Sequence, residues 1–178
     1  MKKIIVISAS PRKGGNSDTL CNEFIKGAEE AGHEVEKIFL RDKKIDYCRA
    51  CYYCRDHNGV CTIKDDVPAI IDKMIVADTI VLSTPVYFYS MNAQLKTIID
   101  RSVMKWLEIK NKNFYLIATA AEDDEHAMEG TIKSFRGFLE CLEGANEAGL
   151  ILAGGVYQPG EITGHPALQQ AYETAKTI

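Results

Sequence analysis

The chain has 178 residues, 46% of them hydrophobic and 26% charged. That is the balance of an ordinary globular protein, long enough to bury a core as a single domain spanning 1–178. A formal charge of −4 with no basic tail or stripe argues against a nucleic-acid binder, and no apolar run reaches membrane-spanning length. Six cysteines are the one unusual count, and four of them crowd between Cys48 and Cys61.

The apolar run after Met1-Lys2-Lys3 is only about four residues, too short for the core of a secretory leader. The expectation is therefore the first strand of a cytoplasmic protein. Lys2–Ile7 reads as a fully buried strand without polar alternation. Ser17–Ala31 reads as a helix closed by Gly32, and Glu34–Leu40 as a second strand. Residues 41–64 form a cysteine-rich loop. Asp66–Ala77 is a helix with Asp65 or Asp66 as cap and Pro68 in its first turn. Thr79–Ser83 is a third strand, Thr84–Met91 an aromatic loop, and Asn92–Trp106 a helix capped by Asn92. Phe114–Thr119 is a fourth strand. An acidic loop follows, then a helix over Ala127–Leu142, a short strand over Leu150–Ala153, a Gly/Pro-rich loop and a last helix over Pro166–Ile178.

This alternation of strand and helix predicts a doubly wound α/β sheet with right-handed crossovers. Five such units fit a flavodoxin-like five-stranded parallel sheet, order 2-1-3-4-5. Its switch point then lies between strands 1 and 3, where their C-terminal loops part.

Those two loops carry the most chemistry. The first, Ser8 to Ser17 (SASPRKGGNS), joins a buried strand to a helix. Backbone N–H groups of such a loop and of the helix start point at one spot, where the helix dipole adds positive potential. Arg12 and Lys13 add charge; Ser10, Asn16, Ser17 and Thr19 add donors. The spacing is neither GxxxxGK[ST] nor GxGxxG. At about nine residues it exceeds the two to six that a plain βα turn needs, which favours a phosphate cradle. The second loop runs Thr84-Pro85-Val86-Tyr87-Phe88-Tyr89-Ser90-Met91. Three successive aromatics cannot all face a core. They suit a subunit interface and, compatibly, the wall of a planar heteroaromatic ligand; the loop's place at the inferred switch point favours the ligand.

Cys48, Cys51, Cys54 and Cys61 read C-x2-C-x2-C-x6-C. Three thiols at steps of three can wrap three corners of a cubane, with the fourth closing it. The related ferredoxin run is C-x2-C-x2-C-x3-C-P; here the last gap is longer and no proline follows. A [4Fe–4S] cluster is the first candidate, zinc the second, and packed reduced thiols the third. Cys21 and Cys141 read as buried packing residues. His57 reads as solvated, and His33, His126 and His165 fall at element ends. The run Glu122 to Glu125 reads as a solvated loop, and Lys96, Asp100 and Arg101 as surface pairs.

From Lys2 to about Arg101 the chain resembles the NAD(P)H-dependent FMN reductases of flavodoxin-like fold, and within them the iron–sulfur flavoproteins. SASPRKGGNSDTL, CRACYYCRDHNGVCTIKDDV and ADTIVLSTPVYFYSMNAQLKTIIDR carry the resemblance. It implies FMN, with its phosphate at Ser10, Arg12, Asn16, Ser17 and Thr19. The ring would lie against Pro85, Val86, Tyr87 and Phe88, with Thr119 and Ala120 on a third wall. The implied activity is electron transfer from NAD(P)H through FMN to a quinone, flavin or similar small acceptor. No side chain is needed as acid or base. The alternative is an electron carrier using FMN and a [4Fe–4S] cluster. A homodimer or higher homo-oligomer is expected.

Overall fold

The computed structural model describes every residue except Glu125. Strand β1 (Lys3–Ser8) lies between β2 (Glu34–Phe39) and β3 (Thr79–Tyr87), and β5 (Asn113–Thr119) and β6 (Asn146–Ala153) follow β3. All five are parallel. Their order, β2-β1-β3-β5-β6, is the flavodoxin-like arrangement expected. A sixth, two-residue strand, β4 (Ser90–Met91), pairs antiparallel with the end of β3.

Helix α1 (Asn16–Glu30) and helix α6 (Pro166–Lys176) cover one face; α3 (Val67–Val76), α4 (Ala93–Arg101) and α5 (His126–Glu140) cover the other. A single helical turn, α2 (Tyr53–Asp56), interrupts the cysteine loop. Side chains of a strand alternate between faces, so β1 serves two cores. Ile5 and Ile7 join Ile71, Met74, Leu82, Leu95 and Phe135 on one side. Ile4 and Val6 join Leu20, Phe24, Val81 and Ile117 on the other. Leu20, Cys21, Phe24 and Ala28 of α1 are all fully buried. They form one stripe at helical spacing, which is why that segment folds as a helix despite its polar remainder.

Four expectations need correction. Thr84–Met91 is not an irregular loop: β3 continues through Tyr87 and folds back as a hairpin, pairing Val86 with Met91 and Tyr87 with Ser90. The third large helix ends at Arg101 rather than Trp106. Two 3-10 turns follow, separated by Lys105, whose φ of −146° lies outside helical space. The last strand starts at Asn146, since Gly149 lets the Tyr115 ring lie against its backbone beside a register shift at Phe114/Tyr115. Cys141 lies just past α5 and is exposed, while Leu142 takes the core position. Cys21 is buried as expected. The acidic run is exposed at Glu122, Asp123 and Asp124; Glu125 lies outside the described residues.

Candidate functional site

The C-terminal ends of β1, β3 and β5 are adjacent, with Ser8 in register with Ser83 and Pro85 with Thr119. The loops leaving these ends share one edge of the sheet.

Helix α1 begins without a side-chain cap: Gly15 stands at the N-cap with extended backbone. Its first N–H groups are thus available to an anion. The loop before it is tightly wound. Ser10 Oγ accepts from Arg12 N at 3.1 Å, and Gly15 N donates to Arg12 O at 3.2 Å. A Cβ at Gly15 would approach Ser10 Oγ to 3.0 Å and Arg12 O to 3.2 Å, so glycine keeps this concavity open. Gly14 has φ +68°. Its N–H donates to the carboxylate of Asp18 at 2.9 Å, and that carboxylate pairs with Lys37 and accepts from Ser8 Oγ at 3.2 Å. Asp18 thus organises the loop from below with its charge neutralised. The only hint of this in the sequence is an acidic residue in a helix's first turn.

The five residues assigned to the phosphate side divide into two groups. Ser10 and Ser17 are buried at the concavity, and Thr19 Oγ1 bonds back to Gly15 O at 3.2 Å. Arg12 and Asn16 instead reach the loop after β6. Arg12 Nη1 donates to Tyr157 O at 2.9 Å, and the guanidinium lies over the Tyr157 ring. Asn16 Nδ2 donates to Gln158 O at 3.0 Å, and its Oδ1 accepts from Gly160 and Ile162 N–H groups. Nothing in the sequence pointed to Tyr157 and Gln158, because their partners lie more than 140 positions away.

The aromatic segment is a hairpin whose two tip residues, Phe88 and Tyr89, have φ of +49° and +60°. Positive φ at both central positions is the primed turn that matches strand twist, normally built from Asn and Gly. With bulky side chains this conformation costs roughly 1–2 kcal/mol per residue. Tertiary contacts hold it. The Tyr89 hydroxyl lies 2.9 Å from a Glu122 carboxylate oxygen, and a Cβ at Gly130 of α5 would run into Tyr89 O. Tyr87 and Tyr89 are about half exposed and Phe88 wholly so. The reading that three successive aromatics cannot face the core is borne out.

Asn92 joins the two loops. Its Nδ2 donates to Ala9 O at 2.6 Å, its Oδ1 accepts from Leu95 N at 3.1 Å as the cap of α4, and its N–H donates to Thr84 Oγ1 at 3.0 Å. The capping role is legible in the sequence; the bond to Ala9 is not. Of the third wall, Thr119 and Ala120 are buried. Both backbone groups of Ala120 are engaged, N–H to Ala153 O and C=O from Val156 N, each at 2.9 Å.

The cysteine loop is a second centre. Cys48, Cys51, Cys54 and Cys61 all line one cleft of about 630 Å³, together with Arg101, Val103 and Trp106. None is in a disulfide. Ala50, Tyr52 and Asn58 within the loop all have positive φ, a strain that clusters at functional sites. Burial raises the Cys54 thiol pKa, and the neighbouring Cys61 and Cys48 add to this. The Cys51 thiol is lowered by the Tyr53 N–H and the Thr62 hydroxyl. Among the described residues no three His, Cys, Asp or Glu side chains converge on one metal-sized point. Holding a cluster would thus require the four thiols to come closer together than they stand here. The donor set and the space fit an iron–sulfur group. His57 is exposed but stacks on Tyr53 at 3.6 Å between ring centroids.

The sequence reading placed Arg101 in a surface pair; the structure buries it. Lys96 and Asp100 do pair on the surface, but Arg101 and its partner Asp65 are each 1% exposed. Burial alone would lower the Arg101 pKa; the fork of hydrogen bonds to Asp65 outweighs it, and the net shift is upward. Burial likewise opposes charge on Asp65, but Arg101 and the Asp46 and Val67 N–H groups pull its pKa below the usual value. The signal was absent because the two residues are 36 positions apart.

A doubly wound parallel sheet of this strand order is the flavodoxin-like fold. The chain belongs to the NADPH-dependent FMN reductase family, whose sequence profile matches residues 2–143. It is 34% identical over 188 aligned positions to the iron-sulfur flavoprotein of Methanosarcina thermophila, covering 99% of this chain and 93% of that one. It is 26% identical over 184 positions to the putative NAD(P)H-dependent FMN-containing oxidoreductase YwqN of Bacillus subtilis, covering 98% and 97%. Among solved structures, an azoreductase from Bacillus anthracis matches with a TM-score of 0.77 at 19% identity over the full length of both chains. An NAD(P)H:quinone oxidoreductase from Methanothermobacter marburgensis matches at 0.76 and 18% identity, over 99% of this chain and 95% of that one. These two likenesses establish the fold. No helix among the described residues is long and apolar enough to cross a membrane.

Proposed function

We propose that the protein is an NAD(P)H-dependent flavin oxidoreductase that binds one FMN at the β1–β3 switch point and delivers electrons to a small acceptor such as a quinone or free flavin. The observation that carries this reading is the pairing of an uncapped helix start with an aromatic hairpin, joined through Asn92. The concavity of Ser10, Gly15 and Ser17 takes the phosphate, with Arg12 and Lys13 supplying charge nearby. Pro85 to Phe88 flank the ring, and the backbone after Thr119 closes the third side. Bound FMN supplies hydride and electron transfer. The chain's own task is to hold the ring in place with one face open and to meet developing negative charge with backbone donors.

A specific observation favours a second component: all four clustered cysteines line one cleft, and a close relative is named an iron-sulfur flavoprotein. In this reading Cys48, Cys51, Cys54 and Cys61 would hold a [4Fe–4S] cluster, which would offer electrons a second destination beside small acceptors. Six cysteines without a disulfide among them support a cytoplasmic location in this reading. The fully exposed Phe88 at the hairpin tip supports a homodimer, which sedimentation analysis would report.

The test is anaerobic purification followed by an absorbance spectrum and assays of FMN, iron and acid-labile sulfide on one sample. About one FMN per chain, with iron and sulfide in equal amounts near four, is the outcome expected of a cubane. Failure to retain FMN after incubation with it rejects the flavin reading. Zinc, or bare thiols after anaerobic reconstitution, rejects the cluster.

A further inference from the structure

We propose that Arg101 is a positioning residue of the cysteine cleft: its guanidinium clamps both stems of the cysteine loop and presents an N–H and a fixed positive charge to sulfur. The second half of this proposal rests on the cluster reading above; the first half does not.

The stems meet at two rungs. Lys44 N donates to Asp66 at 2.7 Å, and Asp66 N donates to Lys44 O at 3.0 Å. Asp46 N donates to Asp65 at 2.9 Å. Arg101, the last residue of α4, engages both strands of this ladder. Nη1 donates to Asp46 O at 2.7 Å and to Asp65 Oδ2 at 2.8 Å, and Nη2 donates to Asp65 Oδ1 at 3.0 Å. Asp46 stands two residues before Cys48 and Asp65 four after Cys61, so the clamp fixes the entry and exit of the whole ligand loop.

The guanidinium also faces the thiols. Nη2 lies 3.5 Å from Cys61 Sγ, and Arg101 lines the same cleft as the four cysteines. Its Nε is buried without an acceptor among the described residues. A buried, unpartnered charged donor is costly, and it is rare enough to need a reason. A thiolate or sulfide drawn into the cleft would answer it. Among the described residues Asp65 is the one carboxylate paired with Arg101, and its charge is already shared with two backbone N–H groups. Hydrogen bonds to the sulfurs and net charge set the potential of an iron–sulfur cluster. One-electron reduction adds a negative charge, so a fixed cation beside Cys61 favours the reduced form.

The experiment has two arms. In the metal-free protein, hydrogen exchange over residues 47–64 is compared among wild type, Arg101→Lys and Asp65→Asn. Lysine keeps the charge but not the fork. Both variants should exchange at least tenfold faster in that segment, with β1 and β3 unchanged. Wild-type protection in both variants overturns the clamp. In the second arm, wild type, Arg101→Lys and Arg101→Gln are reconstituted anaerobically with ferrous iron and sulfide and titrated with dithionite in the presence of mediators. Loss of the charge in Arg101→Gln should lower the ratio of reduced to oxidised cluster about tenfold at fixed potential, a shift of about 59 mV. Arg101→Lys should stay within about threefold of wild type. An unchanged midpoint in Arg101→Gln, or equal shifts in both, overturns the electrostatic role. If Arg101→Gln does not fold, a tenfold shift in Arg101→Lys overturns that role by itself. If wild type takes up no iron and sulfide, the cluster reading and the electrostatic role fall together, and the exchange arm still decides the clamp.

Discussion

The side-chain amide of Asn92 donates to the backbone carbonyl of Ala9 across 2.6 Å, within the protein interior. This bond ties the loop after β1 to the start of α4, directly behind the aromatic hairpin. Together with the bond from Ala9 N–H to Ser83 O at 2.9 Å, it sets the two halves of the proposed flavin site at a fixed spacing. Replacing Asn92 with Asp tests this. Aspartate keeps the oxygen that caps Leu95 N–H but turns a second oxygen towards Ala9 O. Stability should fall by about 1–3 kcal/mol and FMN affinity at least tenfold. Urea denaturation and fluorescence titration of FMN measure the two effects. Wild-type FMN affinity in a destabilised Asn92→Asp protein would show that the spacing does not matter.

Phe88 occupies a left-handed conformation while its side chain contacts solvent alone. Glycine adopts that conformation without a steric penalty. Phe88→Gly should therefore raise the thermal midpoint, with a gain of about 1 kcal/mol, while weakening reduction of the acceptor. A fall in stability would mean that the phenyl ring makes contacts absent from the isolated chain.

Asp65 and Arg101 predict a pH signature. The Asp65 pKa is lowered below 3.8 in the folded chain. Its contribution is complete above that value and is lost as pH falls below 3.8 through the folded pKa. At neutral pH, Asp65→Asn leaves Arg101 buried and unpaired, at a cost of about 3–5 kcal/mol. The gap between wild type and Asp65→Asn should narrow as pH drops from about 4 towards 2. Urea midpoints across that range measure it; a constant gap would contradict the assignment.

Cys21 predicts the opposite slope at alkaline pH. Burial pushes its thiol from 9.0 up to about 11, against weaker lowering by Ser83 and Lys37. The folded state keeps the proton longer than the unfolded state, so stability present below pH 9 is lost as pH rises towards 11. The loss is about 2–3 kcal/mol. Cys21→Ala should lack this slope. In the native protein Cys21 should also resist thiol reagents that label the exposed Cys141.

Strand β1, helix α1 and the parallel order were legible because their apolar spacing is continuous and local. Ile4 to Ile7 reads as a doubly covered strand, and Leu20, Phe24 and Ala28 mark one helix face. The hairpin was not legible: Phe88-Tyr89 carries none of the Asn-Gly chemistry by which a primed turn is recognised. Arg101 looked like a surface residue because a charged side chain near Lys96 and Asp100 at helical spacing normally is one. Only the fold brings Asp65 to it. The loop after β6 was read as Gly- and Pro-rich, yet its bonds to Arg12 and Asn16 span the sheet. In each case the missing information was a contact between distant residues, and each lies at or beside a proposed cofactor site.

The most direct test of the account is anaerobic mixing of the FMN-loaded protein with NADPH or NADH, followed by the long-wavelength flavin absorbance. The account predicts bleaching within seconds and recovery of the band when a quinone is added. A flavin that stays oxidised with both nucleotides would contradict it.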